Sequence, residues 1–211
     1  TKKLQDDSTL APLDIKVLLL NYSEEIRKEF GKKTYQDEIE FIIGNNVRNR
    51  LISNLAVSAS GNTLVLFNRV ESHGKPLYEL INSKVKEGRK VFYVSGEVVT
   101  SDREAIRKIV EKQKDAIIVA SLGTFSTGIN IKNLHNIVFA SPSKSQIKVL
   151  QSIGRGLRQS DDGRTTTLYD ITDDLHWKDR KNYTLLHGAA RLKIYRQEQF
   201  NYKVIKVDIN E

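Results

Sequence analysis

The sequence predicts an α/β domain with a mainly parallel central sheet and helices on both faces of that sheet. The first observation is that short apolar runs recur at Thr63–Phe67, Val91–Val94, Ala116–Ala120 and Asn136–Ala140. Continuous apolar runs of this length are typical of strands that are buried on both faces. The second observation is that helical patterns separate these runs, and strand–helix alternation at this spacing favours a three-layer arrangement.

The segment before this alternation predicts one further strand and one long helix. Residues 1–14 lack periodicity, which indicates a linker, and Lys16–Asn21 predicts a first strand. Residues 23–34 are charged and predict a connection with a turn of helix. Residues 35–58 predict a single amphipathic helix, because apolar residues recur at helical spacing. Those apolar residues are Ile39, Ile43, Val47, Leu51 and Leu55.

The remaining elements complete the alternation and add a tail. Helices are expected at Pro76–Lys86, from a capping box at Ser101 and Glu104 onward, and at Lys178–Gln199. Strands are expected at Thr166–Ile171 and Tyr202–Ile209. The last helix is expected to turn Leu185, Ala189 and Leu192 inward and its many cations outward. We interpret those cations as a solvated face, with DNA contact as the alternative.

Composition and charge narrow the classes of function. The chain has 211 residues and a net charge of +8, which favours a polyanionic partner. It has no cysteine, which excludes disulfides, thiolate metal sites and cysteine nucleophiles and indicates a cytoplasmic protein. It has no apolar run of about 18 residues, so we expect no membrane-spanning helix. Because there is no methionine and the first residue is Thr1, we expect a piece of a longer protein.

One segment, Gln151–Gln159, has a pattern suited to binding phosphate. Ser143 and Gln146 form a capping box just before it, which predicts a helix. At helical spacing, Gln151, Arg155 and Arg158 fall on one face of that helix. Guanidinium groups keep their charge and donate paired hydrogen bonds to phosphate oxygens. The alternative is a basic stripe that faces solvent.

Polar loops follow the predicted strands. In open parallel sheets, ligands bind beyond the carboxyl ends of the strands, so these loops are the candidate binding surface. The loops are Asn68–Gly74, Ser95–Thr100, Ser121–Asn130, Ser141–Ser143 and Asp170–Asp174. Hydroxyls and free backbone amides suit contacts with a nucleic-acid backbone. Each loop taken alone could equally be an ordinary turn.

The order of these motifs resembles the second RecA-like domain of superfamily 2 helicases. Gln151-x-x-Gly154-Arg155-x-x-Arg158 resembles motif VI of that family, and Ser121–Asn130 resembles motif V. Thr63–Arg69 resembles motif IV, and Val94-Ser95-Gly96 resembles the short motif between IV and V. The resemblance covers about residues 60–172 and implies a RecA-like domain of the P-loop NTPase type.

The resemblance implies contacts with a nucleotide. Arg155 and Arg158 would reach the γ-phosphate of ATP, Arg158 as an arginine finger, and Gln151 would organise that contact. The residues near the nucleotide would be Gly128, Asn130 and Gly154. Asn130 stands where many relatives have aspartate. ATP and Mg²⁺ would be bound mainly by a missing amino-terminal RecA-like domain.

The resemblance also implies contacts with DNA. The residues that would hold the backbone of one strand are Asn68, Arg69, Ser95, Gly96, Ser121, Thr124 and Thr127; many relatives have arginine in place of Thr127. The full enzyme would be an ATP-dependent DNA helicase that acts on single-stranded and branched DNA in recombination and repair, with RNA–DNA hybrids as a further substrate. Residues 1–22 would be a linker from the missing domain. Residues 23–211 would be the helicase carboxyl-terminal domain with a helix–strand extension.

Two other classes of function stay open. The chain has no G-x-x-x-x-G-K-[ST] motif, so it lacks its own Walker A loop and is not expected to hydrolyse ATP alone. A non-catalytic nucleic-acid-binding module with a RecA-like fold is therefore the main alternative. A Rossmann-like enzyme is disfavoured, because no G-x-G-x-x-G occurs. We expect no metal site, and we interpret Asp170, Asp173 and Asp174 as part of a capped turn rather than as magnesium ligands.

Overall fold

The central sheet of the computed structural model contains seven strands. The structure describes residues 13–95, 104, 107–109, 111–123, 133–143 and 163–209. The strands are β1 (Leu13–Tyr22), β2 (Thr63–Phe67), β3 (Val91–Val94), β4 (Ile117–Ser121), β5 (Asn136–Phe139), β6 (Thr166–Asp174) and β7 (Asn201–Ile209). Their order in the sheet is β3-β4-β2-β5-β6-β1-β7, and every pair of neighbours is parallel. All carboxyl ends of the strands therefore point to one edge of the sheet.

Five α-helices with complete bounds are described. They are α1 (Glu24–Phe30), α2 (Tyr35–Gly44), α3 (Asn46–Ser58), α4 (Lys75–Asn82) and α5 (Tyr183–Gln197). A π-helical turn, Val70–Gly74, leads directly into α4. Residues 104, 107–109 and 111–112, between β3 and β4, are also helical. In the parts of the chain that the structure describes, no helix has the length and apolar character needed to cross a membrane.

The two faces of the sheet carry separate cores. Alternate residues of β1 divide between them: Ile15 and Val17 belong to one cluster, and Leu18 and Leu20 belong to the other. Tyr195 and Leu192 of α5 pack into the first cluster. Side chains of α1 to α4 pack into the second, including Ile42, Ile52, Ala56, Leu77 and Ile81. This is the three-layer α/β arrangement that the alternation of strands and helices predicted.

The first and the last strand along the chain, β1 and β7, both join this sheet. Strand β1 lies between β6 and β7, with Leu18 opposite Ile171 on one side and Ile205 on the other. Residues 13–22 of the predicted linker are therefore part of the sheet. Residues 1–12 lie outside the described residues, and a linker there stays a prediction.

The prediction of one long helix over residues 35–58 was wrong, because two helices meet at Asn45. Asn45 has an extended backbone (φ −70°, ψ 115°) and lies in neither helix. Its side-chain oxygen accepts a hydrogen bond from the backbone N–H of Arg48 at 2.9 Å. Asparagine is a favoured residue at a helix start, because its side chain satisfies a free backbone amide there.

Other element boundaries also differ from the predictions; helix α5, for example, begins at Tyr183 rather than at Lys178. Helix α4 ends at Asn82 rather than near Lys86, since the chain turns before Gly88, whose φ is +90°. Strand β6 continues to Asp174, where it pairs with Asn21 of β1. Residues 170–174 are therefore strand residues rather than the predicted loop.

The predicted inner face of the last helix was right for Leu192, which packs against the core, but wrong for Ala189. Ala189 is exposed, and Leu185 and Leu192 are half-buried. The side of α5 that faces the sheet instead carries Thr184, Gly188, Arg191 and Tyr195. Arginine is tolerated there because its guanidinium binds a buried carboxylate, Asp170 of β6, through Nε at 2.8 Å and Nη2 at 2.7 Å. A pattern of apolar residues could not reveal a face of this kind.

Glycine at position 188 is required by the close approach of α5 to β6. A Cβ atom at Gly188 would lie 2.4 Å from Thr172 Cγ2. Thr172 has little freedom to move, because its hydroxyl accepts a hydrogen bond from Arg191 Nη2 at 3.0 Å. We expect Gly188→Ala to lower the free energy of unfolding by about 1–3 kcal/mol, as overpacking of a core does. Urea denaturation of both proteins measures the difference.

Gly44→Ala is the matched control for this substitution. Gly44 ends α2, and a Cβ atom there meets nothing within 4 Å. Alanine should be neutral or stabilising by up to about 1 kcal/mol, because it restricts the unfolded chain. Equal effects of the two substitutions would contradict the close contact between α5 and β6.

Candidate functional site

The carboxyl edge of the sheet brings together those candidate residues that the structure describes. Asn68 and Arg69 follow β2, Ser95 follows β3, and Ser121 ends β4. Because the three strands are parallel neighbours, these residues lie at one edge. The other predicted site residues lie outside the described residues, and their roles stay predictions: Gly96, Thr124, Thr127, Gly128, Asn130, Gln151, Gly154, Arg155 and Arg158.

Arg69 is a cation at this edge. Its side chain is half-buried, and Nη2 donates a hydrogen bond to Gln36 Oε1 at 2.9 Å. An amide oxygen orients the guanidinium without neutralising its charge. A held guanidinium with spare donors is a suitable ligand for a phosphate group.

Asn68 is held at this edge through its backbone. Its side chain is exposed, while its N–H donates a hydrogen bond to Ser141 Oγ at 2.9 Å. Ser141 follows β5, the neighbour of β2, and is buried. The bond therefore ties the loops after two adjacent strands together.

His73 supports this contact from inside the domain. It lies in the π-helical turn and is fully buried, with Nδ1 3.0 Å from Ser141 Oγ and Nε2 3.3 Å from Asn49 Oδ1. The Asn49 amide group donates to the backbone oxygen of Ile43 at 2.8 Å, which leaves Oδ1 as the acceptor toward His73. Nε2 therefore carries the proton, and Nδ1 accepts from the hydroxyl of Ser141.

Burial keeps this imidazole neutral. Loss of hydration, with the nearby charge of Arg48 as a second cause, lowers the pKa of His73 from 6.5 to about 3. The histidine can then accept from Ser141, and Ser141 in turn can accept from the Asn68 amide. The position of the Asn68 backbone thus depends on a chain of neutral hydrogen bonds that reaches α3.

The two candidate serines at this edge present little surface. Ser95 is 2% exposed and Ser121 is 8% exposed. In this conformation, their hydroxyls offer less to a ligand than the exposed Asn68 does. A DNA contact by either serine stays a prediction.

A buried ion pair lies beneath the same edge. Arg48 of α3 binds Asp173 through Nε at 2.8 Å and Nη2 at 3.0 Å, and its Nη1 donates to the backbone oxygen of Ala140 at 2.8 Å. The hydroxyl of Tyr22 donates to Asp173 at 2.8 Å. Burial, followed by the charge of Asp173, raises the pKa of Tyr22 well above its usual range. Burial disfavours the charge of Arg48, but Asp173 outweighs it and the pKa of Arg48 is raised.

These contacts show what the three aspartates after the predicted fifth strand do. Asp173 binds Arg48 and Asp170 binds Arg191. Asp174 accepts a hydrogen bond from the backbone N–H of His176 at 3.1 Å. Asp170 and Asp173 are thus bound by cationic side chains rather than by the expected turn. Within the described residues, no group of three or more acidic or histidine side chains is arranged to hold a metal ion.

Sequence reasoning did not identify Arg48 and Asn49, and it placed His73 and Ser141 in candidate loops without predicting their supporting contacts. Arg48 had a detectable signal, because it lies on the same helical stripe as the buried Ile52 and Ala56. Ser141 follows a buried strand as Ser95 and Ser121 do. His73 and Asn49 had no signal, since their contact depends on the π-helical turn.

Comparison with known proteins identifies relatives along nearly the whole chain. The family model described as helicase conserved C-terminal domain matches residues 46–160. The ATP-dependent DNA helicase UvsW of Enterobacteria phage T4 is 40% identical over 222 aligned residues, which cover 99% of this chain and 43% of that protein. The chain therefore spans less than half the length of this relative.

Solved structures agree with the fold. The crystal structure of T4 UvsW matches with a TM-score of 0.80 at 39% identity, covering 94% of this chain and 42% of that one. The E. coli DEAD-box protein SrmB matches with a TM-score of 0.53 at 16% identity, covering 90% and 89% of the two chains. The identity with SrmB is low enough that this match shows the fold alone. The predicted RecA-like fold and the resemblance to superfamily 2 helicases are confirmed.

The neutral His73 predicts a dependence of stability on pH. The unfolded chain binds a proton at this imidazole near pH 6.5, while the folded chain does so only near pH 3. Between these values protons favour the unfolded state, so stability falls as the pH is lowered. Between pH 6.5 and pH 3, protonation of His73 in the unfolded chain should lower the free energy of unfolding by up to about 1.4 kcal/mol for each pH unit. Chemical denaturation at a series of pH values measures it.

His73→Gln should flatten this dependence, because glutamine does not titrate. His176→Gln is the control, since the His176 side chain is partly exposed beside Asp174. The His73 assignment is contradicted if both variants keep the full slope of the parent chain.

Proposed function

The chain belongs to the family of helicase conserved C-terminal domains, and from this membership we propose that it is the carboxyl-terminal motor domain of an ATP-dependent DNA helicase or translocase. The observation that carries the proposal is its 40% identity, along 99% of its length, to the ATP-dependent DNA helicase UvsW of phage T4. The alignment with this relative covers 99% of the chain and so extends beyond the family model into β1, α5 and β7.

In this proposal the nucleotide is bound mainly by another domain. The sequence has no Walker A motif. Asp170 and Asp173, two carboxylates that might otherwise attract Mg²⁺, are bound by arginines. ATP and Mg²⁺ are therefore assigned to an amino-terminal RecA-like domain, and the chain alone is expected to be inactive.

The contribution of this chain to ATP hydrolysis is positive charge at the γ-phosphate. We assign Arg158 as the arginine finger, with Arg155 beside it and Gln151 organising the contact. Such a group stabilises the charge that develops in the transition state of phosphoryl transfer. Gly128, Asn130 and Gly154 are assigned to the nucleotide side of the cleft between the two domains.

The second contribution is a grip on the DNA backbone at the carboxyl edge of the sheet. Arg69 supports this, because its guanidinium is oriented by a neutral amide and keeps its charge. The Asn68 backbone is fixed by Ser141, which gives the grip a rigid base. Gly96, Thr124 and Thr127, with Ser95 and Ser121, complete the proposed contact. Opening and closing of the cleft would move this grip relative to that of the partner domain.

The proposed substrates are single-stranded and branched DNA. They include stalled forks and recombination junctions, with RNA–DNA hybrids as a further candidate. The processes in which the enzyme would act are recombination and repair. The relative in phage T4 supports a place of action in the cytoplasm of an infected bacterium. The net charge of +8 is consistent with a polyanionic substrate.

Arg158→Ala tests the catalytic assignment. In a motor that joins this chain to an amino-terminal half carrying Walker A, the substitution should lower DNA-stimulated ATP turnover by about 10³-fold or more. Binding to DNA should be nearly unchanged, because Arg158 is assigned to the nucleotide. Steady-state ATPase assays and fluorescence anisotropy with labelled DNA measure the two effects.

Arg50→Ala is the control, since Arg50 is an exposed arginine of α3 to which we assign no role. It should leave turnover unchanged. If ATP turnover survives Arg158→Ala, Arg158 is not the arginine finger. A joined protein that binds DNA but never turns over ATP would favour the non-catalytic binding module.

A further inference from the structure

An exposed aromatic patch lies where α2 and α5 begin. We define it as Tyr35, Tyr183, Leu186 and His187. Five large hydrophobic side chains are exposed in the described part of the chain, and three belong to this patch: Tyr35 at 41%, Tyr183 at 39% and Leu186 at 48%. The ring of Tyr35 packs edge-on against Tyr183 at 5.6 Å and against His187 at 5.8 Å between centroids. This concentration of exposed apolar surface indicates a binding role.

A buried carboxylate fixes the two helix starts to each other. Glu38 of α2 accepts hydrogen bonds from the backbone N–H groups of Tyr183 at 3.0 Å and Thr184 at 2.7 Å. It also accepts from the side chain of Asn182 at 2.9 Å. Glu38 thereby satisfies free amides at the start of α5 and holds Tyr183 beside Tyr35. The patch is therefore organised before any ligand binds.

Both tyrosines follow basic segments. Lys32 and Lys33 precede Tyr35, and Lys178, Arg180 and Lys181 precede Tyr183. The guanidinium of Arg180 donates to the backbone oxygens of Gly31 and Lys33, which joins the two segments without neutralising its charge.

The acidic groups of these segments leave an excess of positive charge. Glu29 lies 3.6 Å from Lys33 on the exposed surface, a contact that solvent weakens. Asp37 is held in the capping box with Thr34, and Asp179 lies between Lys178 and Arg180. Aromatic rings flanked by cations suit single-stranded nucleic acid, because bases stack on the rings and phosphates meet the cations.

Helix α2 links the patch to the candidate DNA grip. Gln36 follows Tyr35 in α2 and accepts the hydrogen bond from Arg69 at 2.9 Å. A strand whose backbone contacts Arg69 therefore passes close to the tyrosines.

We propose that the aromatic patch stacks unpaired bases of a single-stranded DNA segment whose backbone contacts Arg69. The inference rests on the proposed function, since it assumes that this edge of the domain binds DNA. It assigns a base-stacking role to Tyr35 and Tyr183, which the backbone grip does not require. The ligand is unpaired DNA rather than duplex, because paired bases present no free face to the rings.

The direct test compares Tyr35→Leu/Tyr183→Leu with Tyr35→Phe/Tyr183→Phe. The leucine pair should weaken binding of fluorescein-labelled oligo(dT) by about fivefold or more, because stacking on an aromatic ring is lost. The phenylalanine pair should bind as the parent chain does. Affinity for a DNA duplex should be equal in all three proteins. The dependence of affinity on salt should keep its slope, since no charge changes.

Further measurements test whether a loss of binding comes from unfolding or from any change of an exposed apolar side chain. Thermal unfolding compares the leucine pair with the parent chain, and Val204→Ser changes an exposed side chain of β7 and should have no effect. Oligo(dT) containing 5-iododeoxyuridine, irradiated with the unsubstituted chain, should crosslink to Tyr35 or Tyr183, as mass spectrometry of the digest would show.

The outcomes separate the inference from the proposed function. Unchanged affinity of the leucine pair for oligo(dT), or crosslinks only at other residues, overturns the stacking inference and leaves the motor proposal standing. An equal loss of single-stranded and duplex binding also overturns stacking. If the unsubstituted chain binds no single-stranded DNA, both the inference and the proposed DNA grip fail.

Discussion

Two aspartates of β6 point to opposite faces of the sheet, and each binds an arginine from the helical layer on its own face. Asp173 binds Arg48 of α3, and Asp170 binds Arg191 of α5. Both pairs are buried, and a tyrosine hydroxyl donates to each carboxylate, from Tyr22 and Tyr195 respectively. Removing one member of such a pair costs about 3–5 kcal/mol, because the other charge is left unpaired. Each pair therefore restricts how its helical layer can dock on the sheet.

The candidate site depends on one of these pairs. Arg48 also binds the backbone oxygen of Ala140, the residue before Ser141. Ser141 in turn holds the Asn68 backbone, with His73 behind it. A short chain of contacts thus runs from the charged core of the domain to the loop that we assign to the DNA backbone. Rigid support of this kind fits the proposed motor role, since a grip transmits movement only if the surrounding fold does not deform.

The sequence predicted the strands well, because parallel strands leave continuous apolar runs. The structure matches the predicted bounds of Thr63–Phe67, which is buried throughout, and of Val91–Val94, a half-buried strand at the edge of the sheet. The sequence-based prediction of helices was wrong where polar side chains decide the structure. Asn45 divides a continuous apolar stripe by capping α3, and Arg191 faces the sheet because Asp170 neutralises it. For the site, the sequence indicated the edge and its residues Asn68 and Arg69. The supporting contact of His73 depends on a π-helical turn that no periodicity announces.

In the proposed function, this domain supplies one half of an ATP-driven motor and holds no complete nucleotide site of its own. The most direct measurement is DNA-stimulated ATP hydrolysis by the chain alone and by the chain joined to an amino-terminal half that carries Walker A. We predict no turnover by the chain alone and DNA-dependent turnover by the joined protein. Turnover by the chain alone would contradict the claim, because it would require a phosphate-binding loop and a metal site within these 211 residues.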